Sequence, residues 1–345
     1  MNVIIQVPCL NEADTLHEVV ADLPFTIAGV DSIETLVIDD GSRDGTAAVA
    51  LGLGVDHVVR HRRNRGLAAA FSTGLDACLR LGADIIVNTD GDGQYSGADI
   101  QKLIEPILAG RADMVIGDRR PSEDMRQSWL KRKLQRLGSR MVSWLAGREI
   151  PDAVSGFRAM SREAALKMQV VTEFSYTIET VLLACSQGLA IEHVPTTTNT
   201  VTRPSRLFRS IPQFVLRSGL TMLRVTFLYR PLATLMTAGG LLGIVGMIPI
   251  LRFLYLAAGG NSAGHIQSLV LGGVLLVLAA ILAVAGLLAD VMAANRKLLG
   301  ATLEKMKRLE SGDEKADTVP NVGRKRGRAS NVVGSRPIGI FGDRA

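Results

Sequence analysis

The chain has 345 residues, enough for one large or two ordinary domains, and its hydrophobic share of 47% is high for a soluble protein. Its three cysteines are scattered, which excludes metal-ligand spacing and predicts reduced thiols. The formal net charge of +6 does not call for nucleic acid, because the arginines cluster beside apolar segments, where a membrane surface and phosphate ligands explain them.

Residues 1–205 alternate short apolar runs with amphipathic runs. The apolar runs predict strands at residues 3–7, 35–39, 57–60, 84–87 and 114–117. The amphipathic runs predict helices at residues 12–23, 46–53, 67–81 and 99–109. Such alternation predicts an α/β domain with a Rossmann-like, mostly parallel sheet and helices on both faces.

Polar residues follow several of these strands. Pro8 lies at the end of the first strand, Asp39 and Asp40 at the end of the second, and Asp90 and Asp92 after the fourth. Ligands of parallel sheets bind at the carboxyl ends of the strands, so these motifs are expected to form one site.

The segment Asp90-Gly-Asp92-Gly-Gln94 has the composition of a metal site. Two carboxylates spaced i, i+2 at a strand end can face one divalent ion, and Gln94 offers a further oxygen. Mg²⁺ and similar cations prefer one or two carboxylates together with substrate phosphate oxygens. The segment therefore predicts a bound metal–diphosphate, with Asp90 either sharing the metal or contacting the sugar.

Residues 206–230 predict a basic amphipathic helix in a membrane interface, with a helix packed on the soluble domain as the alternative. Two uncharged apolar runs follow at residues 232–250 and 269–289, and each is long enough to cross a ~30 Å hydrocarbon core. They predict a two-helix transmembrane hairpin within residues 231–294.

The basic residues around this hairpin predict its orientation. Arg217, Arg224 and Arg230 precede the first span, and a basic run beginning at Arg296 follows the second, whereas the connection at residues 257–267 has no Lys or Arg. By the positive-inside rule, both termini and the catalytic domain are cytoplasmic. Residues 295–345 are then a cytoplasmic helix extension followed by a disordered basic tail.

The order of the motifs resembles that of the family 2 glycosyltransferases of the GT-A fold. The motifs are Pro-x-x-Asn-Glu at residues 8–12, Asp-Asp-Gly-Ser-x-Asp-Gly-Thr at 39–46, Asn-x-Gly at 64–66 and Asp-x-Asp at 90–92. The resemblance covers about residues 1 to 200. A narrower likeness to the polyprenyl-phosphate glycosyltransferases rests on Asp90–Gln94, Gly-Asp-Arg at 117–119, Ser-Gly-Phe-Arg at 155–158, Glu179 and Arg-Pro-Ser-Arg-Leu at 203–207. Dolichol-phosphate mannosyltransferase and the undecaprenyl-phosphate glucosyltransferases belong to that group.

This resemblance implies transfer of one sugar from a UDP- or GDP-hexose to dolichyl or undecaprenyl phosphate, dependent on Mg²⁺ or Mn²⁺ and inverting at the anomeric carbon. It implies that Arg119 and Arg132 hold the acceptor phosphate, although Arg136 stands where the family often has a serine. The implied substrate-binding residues are Pro8, Asn11, Glu12, Asp39, Asp40, Asn64, Gly66, Ser155, Glu179, Arg203, Ser205 and Arg206.

Several alternatives stay open. Glu179 could bind sugar or pair with Arg158, and Asp152 could be a carboxylate at the sugar or a partner of Arg158. The chain could also be a processive polysaccharide synthase, although it lacks a Gln-x-x-Arg-Trp motif and further spans, or an inactive nucleotide-sugar-binding protein. Glycines in both spans would permit helix packing within one hairpin or between the protomers of a homo-oligomer.

Overall fold

The computed structural model describes residues 1–119, 129–170, 176–199, 226–227, 231–259 and 266–310, with side chains of the helix that begins at residue 129 from residue 138 onward. The chain divides into two compact units, Met1–Leu207 with Leu303–Ala345, and Phe208–Thr302. The predicted interface helix at 206–230, apart from residues 226–227, and the predicted tail beyond residue 310 lie outside the described residues.

The first unit is an α/β domain. Its described strands are β1 (Asn2–Cys9), β2 (Ser32–Asp39), β3 (His57–Arg60), β4 (Ile85–Asn88), β5 (Met114–Asp118), β6 (Arg158–Ser161) and β7 (Ile191–Pro195). The helices are α1 (Leu16–Asp22), α2 (Thr46–Gly52), α3 (Leu67–Arg80), α4 (Ile100–Leu108), α5 (Trp129–Ala146), α6 (Arg162–Lys167) and α7 (Tyr176–Ser186). A short 3₁₀ turn, Gly97–Asp99, precedes α4.

The strands form one sheet in the order β3-β2-β1-β4-β6-β5-β7. All neighbouring pairs are parallel except those of β6, which runs antiparallel to both β4 and β5. The central strand β1 is buried from Val3 to Cys9, and all of β4 is buried, so the hydrophobic core lies on both faces of these two strands. Burial on two faces explains their near-continuous apolar sequence.

The structure confirms the predicted α/β fold and its mostly parallel sheet, including the five predicted strands. The sequence reading missed β6 and β7. It also began the first helix too early: α1 starts at Leu16, because the amides of Glu12 and Ala13 donate to Thr46 Oγ1 (3.0 Å) and Asp44 Oδ2 (3.0 Å) instead of entering a helix.

The second unit is built from two long apolar helices, α8 (Pro231–Ala258) and α9 (Ile266–Glu310). The last turns of α9, from Leu303 onward, belong to the first unit. Both are long and apolar enough to cross a membrane, with mean hydropathies of 2.0 and 2.8 over their most apolar windows. They approach each other at glycines: a Cβ added to Gly272 would lie 2.7 Å from the carbonyl oxygen of Gly246. These two helices could form a transmembrane hairpin.

Candidate active site at the carboxyl edge of the sheet

The predicted motifs meet at the edge of the sheet where the parallel strands end. Because β6 is antiparallel, it begins at this same edge, with Arg158 paired to Asn88 at the end of β4. The segment at residues 152–157, which leads into β6, therefore lies beside the residues that follow β4. This placement brings together parts of the chain that are far apart in sequence.

Cys9 lies near the middle of these motifs. Burial raises the pKa of its thiol, and the charges of Glu12, Asp39 and Asp90 raise it further. The thiol therefore stays protonated, which excludes a nucleophilic cysteine. A Cβ added to Gly91 would lie 2.7 Å from Cys9 Sγ, so glycine is required for the loop after β4 to pass over β1.

Asp39 ends β2 with one carboxylate oxygen that accepts no hydrogen bond. The residue is 1% exposed, and its Oδ1 accepts from the backbone N–H of Ser42 at 2.8 Å. Oδ2 has no hydrogen-bond partner, and Arg60 Nε lies 3.2 Å away as an ion-pair partner. A buried acceptor left unfilled costs free energy, so this oxygen is suited to a donor from a ligand.

Asp40, in contrast, bonds within the protein. Its Oδ1 accepts from the backbone N–H of Arg65 at 2.9 Å and lies 2.7 Å from His61 Nδ1, and its Oδ2 accepts from the N–H of Gly66 at 2.8 Å. Asn64 Oδ1 accepts from the same Gly66 amide at 3.0 Å. These contacts fix the turn before α3, so Asp40 shapes the loop that flanks Asp39.

The turn after β1 is tied to the turn after β2. Asn11 adopts a positive φ of 53°, and its Oδ1 accepts from the backbone N–H of Arg43 at 2.9 Å. The Glu12 carboxylate accepts from Thr15 Oγ1 at 3.0 Å. Asn11 and Glu12 therefore have structural contacts, and Pro8 is buried within β1.

Asp90 and Asp92 form the acidic part of the site. Although Asp90 keeps part of its surface accessible, the surrounding protein desolvates it and raises its pKa to about 7, and the Asp92 carboxylate adds to this rise. Arg119 and Arg158 lower the pKa of Asp90 without cancelling these effects. Asp92 Oδ1 accepts from the backbone N–H of Gln94 at 3.0 Å, which shapes the loop.

A divalent cation fits this donor set. The elevated pKa of Asp90 means that the two carboxylates lack enough positive charge around them, which a bound cation would supply. No group of three or more His, Cys, Asp and Glu side chains suited to a metal occurs in the described part of the chain. Two carboxylates and an amide leave coordination positions for phosphate oxygens, as Mg²⁺ and Mn²⁺ sites of this kind require.

Arg119 follows β5 and pairs with Asp152. Its Nε lies 2.8 Å from Asp152 Oδ2, and its second terminal nitrogen lies 3.1 Å from Oδ1, which is a bidentate ion pair. The Asp152 side chain is 3% exposed and that of Arg119 18%, so the Arg119 side chain remains partly accessible. Asp152 thus forms its ion pair with Arg119, and its charge also favours the charged form of Arg158, whereas a contact with the sugar stays a prediction.

Ser155, Tyr95 and Tyr176 line the buried side of Asp90. Ser155 is fully buried, and its hydroxyl lies close enough to Tyr95 to act on the pKa of that phenol. A Cβ added to Gly156 would lie 2.8 Å from Asp90 Oδ1 and 3.0 Å from the Tyr176 hydroxyl. Glycine at position 156 therefore makes room for the Asp90 carboxylate.

Arg158 is fully buried and organises the loop before β6. Its guanidinium donates to the carbonyl oxygens of Ala153, Ser155 and Thr177 at 3.1, 2.7 and 2.7 Å. Burial lowers its pKa to about 10. Glu179 lies buried on α7.

Four predicted site residues cannot be placed. Arg132 falls within α5, but its side chain lies outside the described residues, as do Arg203, Ser205 and Arg206. Several residues of the site are not among the predicted site residues. For one of them, Asp152, the sequence indicates only a possible role, at the sugar or as a partner of Arg158. Tyr95, His61 and Tyr176 carried no signal, because each resembles an ordinary core residue until its neighbours are known.

The chain is similar to proteins of known family. The sequence model described as Glycosyl transferase family 2 matches residues 4–168. A polyprenol monophosphomannose synthase of Mycolicibacterium smegmatis is 30% identical over 202 residues, which cover 55% of this chain and 75% of the relative. A UDP-N-acetylglucosamine–dolichyl-phosphate N-acetylglucosaminyltransferase of Methanococcus voltae is 29% identical over 213 residues, which cover 55% of this chain and 82% of the relative.

A solved structure shares the fold. Glucosyl-3-phosphoglycerate synthase from Mycobacterium tuberculosis, in complex with phosphoglyceric acid, has a TM-score of 0.50 and 22% sequence identity. The match covers 64% of this chain and 79% of that one.

Proposed function

The chain belongs to glycosyl transferase family 2, and from that premise we propose that it transfers a single sugar from a UDP- or GDP-hexose to a polyprenyl phosphate at a membrane. The proposal includes dependence on a divalent metal and inversion at the anomeric carbon. The observation that carries it is the meeting of Asp39, the Asp90–Asp92 pair and Arg119 at one sheet edge, in a chain that also has two helices long enough to cross a membrane.

The donor's nucleotide is proposed to bind at the end of β2. Asp39 Oδ2 is a buried acceptor oxygen there that faces Arg60 but accepts no hydrogen bond within the described residues, which suits a base N–H or a ribose hydroxyl. Asp40, with both oxygens used by the loop at residues 61–66, keeps that pocket in shape without contacting the ligand. Guanine and uracil both present an N–H donor, so this feature leaves the choice between UDP and GDP to other contacts.

The diphosphate is proposed to bind over the loop at residues 90–94. Mg²⁺ or Mn²⁺ held by Asp90, Asp92 and Gln94 would neutralise the charge that develops on the leaving nucleoside diphosphate. The protein's own contribution is to place the charge of Asp92 near a desolvated Asp90, where burial disfavours the ionised form of Asp90 and a cation would favour it. Arg203 and Arg206 are proposed to add charge-assisted hydrogen bonds to the same diphosphate.

The acceptor phosphate is proposed to bind at Arg119, with Arg132 as a second cation. Asp152 fixes the guanidinium plane of Arg119 through two hydrogen bonds, and a phosphate oxygen would bind to the part of this side chain that stays exposed. An oxygen of the lipid phosphate forms the new bond to the anomeric carbon as the bond from that carbon to the diphosphate breaks. The phosphate is already an anion at neutral pH, so the reaction needs no general base.

Two independent features support the proposed acceptor class. The relatives compared above are named for polyprenol and dolichyl phosphate. The helices α8 and α9 are apolar enough to remain in a bilayer, where such a lipid resides. The basic residues that flank them favour a cytoplasmic catalytic domain and cytoplasmic termini.

The test is a two-phase transfer assay with the full chain purified in detergent. The protein is mixed with polyprenyl phosphate, Mn²⁺ or Mg²⁺, and a panel of labelled UDP- and GDP-sugars. We expect label from one donor to move into the organic phase, and EDTA to abolish the transfer. Transfer that continues at full rate in EDTA would contradict the proposed metal site.

A second outcome would contradict the acceptor. If a donor binds or is hydrolysed but no label reaches the organic phase with any polyprenyl phosphate, the acceptor is not a lipid phosphate. Anomeric analysis of the product then tests inversion, since a β-linked sugar is expected from an α-linked donor.

A further inference from the structure

Asp99 occupies the position of a helix cap without acting as one. It is the N-cap residue of α4, and acidic residues at that position ordinarily accept a hydrogen bond from the first turn. The Asp99 side chain makes no such bond. This carboxylate belongs to a residue that is only 2% exposed, so it is buried, and its hydrogen bonds come from groups other than the backbone of the first turn of α4.

The partner of Asp99 is the segment that follows β7. Asp99 Oδ2 accepts from both the backbone N–H and the hydroxyl of Thr197, at 2.6 and 2.7 Å. Its Oδ1 lies 2.6 Å from the ammonium nitrogen of Lys102, a residue that is 56% exposed. Burial raises the pKa of Asp99, but the hydrogen bond from Lys102 and the two from Thr197 outweigh it, so that the pKa lies below its usual value.

The segment that Asp99 holds is itself bonded to the acidic loop of the active site. The backbone N–H of Asn199 donates to the carbonyl oxygen of Gln94 at 2.9 Å, and Asn199 Nδ2 donates to that of Gly93 at 3.2 Å. Thr198 forms an isolated antiparallel bridge with Tyr95. Gly93 has a positive φ of 71°, so these bonds hold a backbone conformation that most residues avoid.

The other side of Asp99 is anchored to α1. The backbone N–H of Gly97 donates to the Asp22 carboxylate at the end of that helix. A Cβ added to Gly97 would lie 2.7 Å from the carbonyl carbon of Asp22, so the 3₁₀ turn that carries Asp99 packs directly on the helix end. Asp99 therefore connects a fixed part of the domain to residues 197–199.

We propose that Asp99 is a positioning residue for the metal–diphosphate site. Through Thr197 it holds residues 197–199, and Asn199 in turn fixes the backbone of Gly93 and Gln94, next to the metal ligands Asp92 and Gln94. The proposal rests on the proposed function in one respect, the identity of the ligand that the loop binds. The physical coupling between Asp99 and the loop does not depend on that identity.

The test compares four variants of the full chain in detergent. Asp99→Ser removes the carboxylate but keeps a good helix cap, Thr197→Val removes one of the two donors, and Asn199→Ala removes the bond to Gly93. Lys102→Met is the matched control, because it removes the exposed partner of Asp99 and leaves Thr197 in place. Mn²⁺ binding is measured by electron paramagnetic resonance with saturating UDP and, in parallel, with GDP.

We expect Asp99→Ser to weaken Mn²⁺ binding about tenfold, in the range seen when a group behind a metal ligand is lost. Thr197→Val and Asn199→Ala should each weaken it about threefold, since each removes a single hydrogen bond. Lys102→Met should bind Mn²⁺ like the unsubstituted chain. Deuterium uptake of a peptide that covers residues 90–98 should rise in Asp99→Ser, and to a smaller extent in Thr197→Val, but not in Lys102→Met.

The proposal is overturned if Asp99→Ser and Thr197→Val bind Mn²⁺ as the unsubstituted chain does, even when their unfolding temperatures fall. That result would leave Asp99 as a stabilising residue only. If Asp99→Ser does not fold, Thr197→Val and Asn199→Ala decide the matter. If the unsubstituted chain binds no Mn²⁺ with either nucleotide, the proposed function fails, and the deuterium uptake still shows whether Asp99 holds the loop.

Discussion

The carboxyl edge of the sheet and the helix pair α8–α9 differ in how they accommodate their side chains. At the sheet edge, buried charged groups find partners within the protein: Asp152 binds Arg119, and Arg158 binds three carbonyl oxygens. Along α8 and α9, large apolar side chains such as Ile244 (67% exposed) and Leu288 (62% exposed) have no such cover, and the buried positions include glycines at the helix contacts. The buried ion pairs of the first region are satisfied by the protein itself, whereas the apolar faces of the second are suited to the hydrocarbon of a membrane.

This difference also explains what each region reveals in its sequence. Long apolar runs predict α8 and α9 directly, because a helix that can cross a membrane has to be apolar over many consecutive residues. The sheet edge depends on contacts between distant residues, and only short motifs with special backbone needs, such as the acidic loop at residues 90–94, are visible before folding. Substitutions at the sheet edge should therefore act on single contacts, whereas substitutions along α8 and α9 should act through helix packing.

The largest expected effect is that of Asp92→Ala. Removal of a proposed metal ligand should lower sugar transfer by on the order of a thousandfold, because the leaving diphosphate loses its charge compensation. The two-phase assay measures this. Asp84→Ala is the matched control: Asp84 lies before β4, at the opposite end of that strand, and is half exposed. A transfer rate in Asp92→Ala equal to that of Asp84→Ala would rule out the metal assignment.

Arg119→Lys should have the next largest effect. Lysine keeps the charge but cannot form the bidentate pair with Asp152, so we expect a loss of about tenfold to a hundredfold in kcat/KM for the lipid acceptor. The KM for the nucleotide sugar should change little. Arg111→Lys is the control, since Arg111 forms ion pairs on the surface with Glu105 and Glu192. If only the KM for the nucleotide sugar increases, Arg119 contacts the donor and not the acceptor.

Much of the first unit could be predicted because its signals are local. The strands β1 to β5 are apolar runs, and the acidic and glycine-rich turns after them are short motifs. In contrast, β6 is a four-residue strand that begins with a fully buried arginine. Nothing local indicates that Arg158 is buried, since its partners are carbonyl oxygens of a loop and of α7. Its place between β4 and β5 is decided by long-range pairing.

Two features of the candidate site escaped prediction for the same reason. The Arg119–Asp152 pair joins residues 33 positions apart, and the Asp99–Thr197 contact joins residues 98 positions apart. From sequence, Asp99 looks like a helix start and Arg119 like a free cation for phosphate. Residue type and spacing supply the candidate groups, but only the fold decides which of them bond to each other.

A glycine substitution tests the second region. Gly272→Val should separate α8 from α9, because a Cβ at position 272 would clash with Ile250 Cγ1 and lie 2.7 Å from the Gly246 carbonyl oxygen. Overpacking of this kind costs roughly 1–3 kcal/mol. The neighbouring Gly273→Val is the control, since a Cβ there meets nothing within 4 Å. Thermal unfolding in detergent should show a lower transition for Gly272→Val alone.

Equal unfolding temperatures for the two valine variants would contradict the helix contact described here. A loss of stability in Gly273→Val, measured in a bilayer but not in detergent, would instead show that position 273 contacts a second protomer. The two variants therefore also test whether Gly273 contacts a second protomer in a homo-oligomer.

Acid should destabilise the first unit through Asp99. The pKa of Asp99 is lowered in the folded state, so its ionised form contributes stability above the unfolded value of about 4, and this contribution is lost as the pH falls through the lower folded value. We expect the decrease in unfolding temperature between pH 6 and pH 3.5 to be roughly 2 °C smaller in Asp99→Asn than in the unsubstituted chain. An identical decrease in both proteins would show that the contacts with Lys102 and Thr197 do not favour the charged form.

The smallest expected effect concerns the end of α9, where residues 303–310 belong to the first unit. Arg308 forms ion pairs with Glu163 of α6 and with Glu304, and Lys307 Nζ lies 2.8 Å from Asp76 of α3. Glu163 is 55% exposed, so solvent screens its pair, and such pairs contribute about 0–1 kcal/mol. Arg308→Gln should therefore lower the unfolding temperature by only about 1–3 °C, and high salt should remove the difference from the unsubstituted chain. A larger loss that persists in high salt would mean that the stem of Arg308 packs as part of the core, in which case this contact would resemble the buried sheet edge instead of a solvated surface.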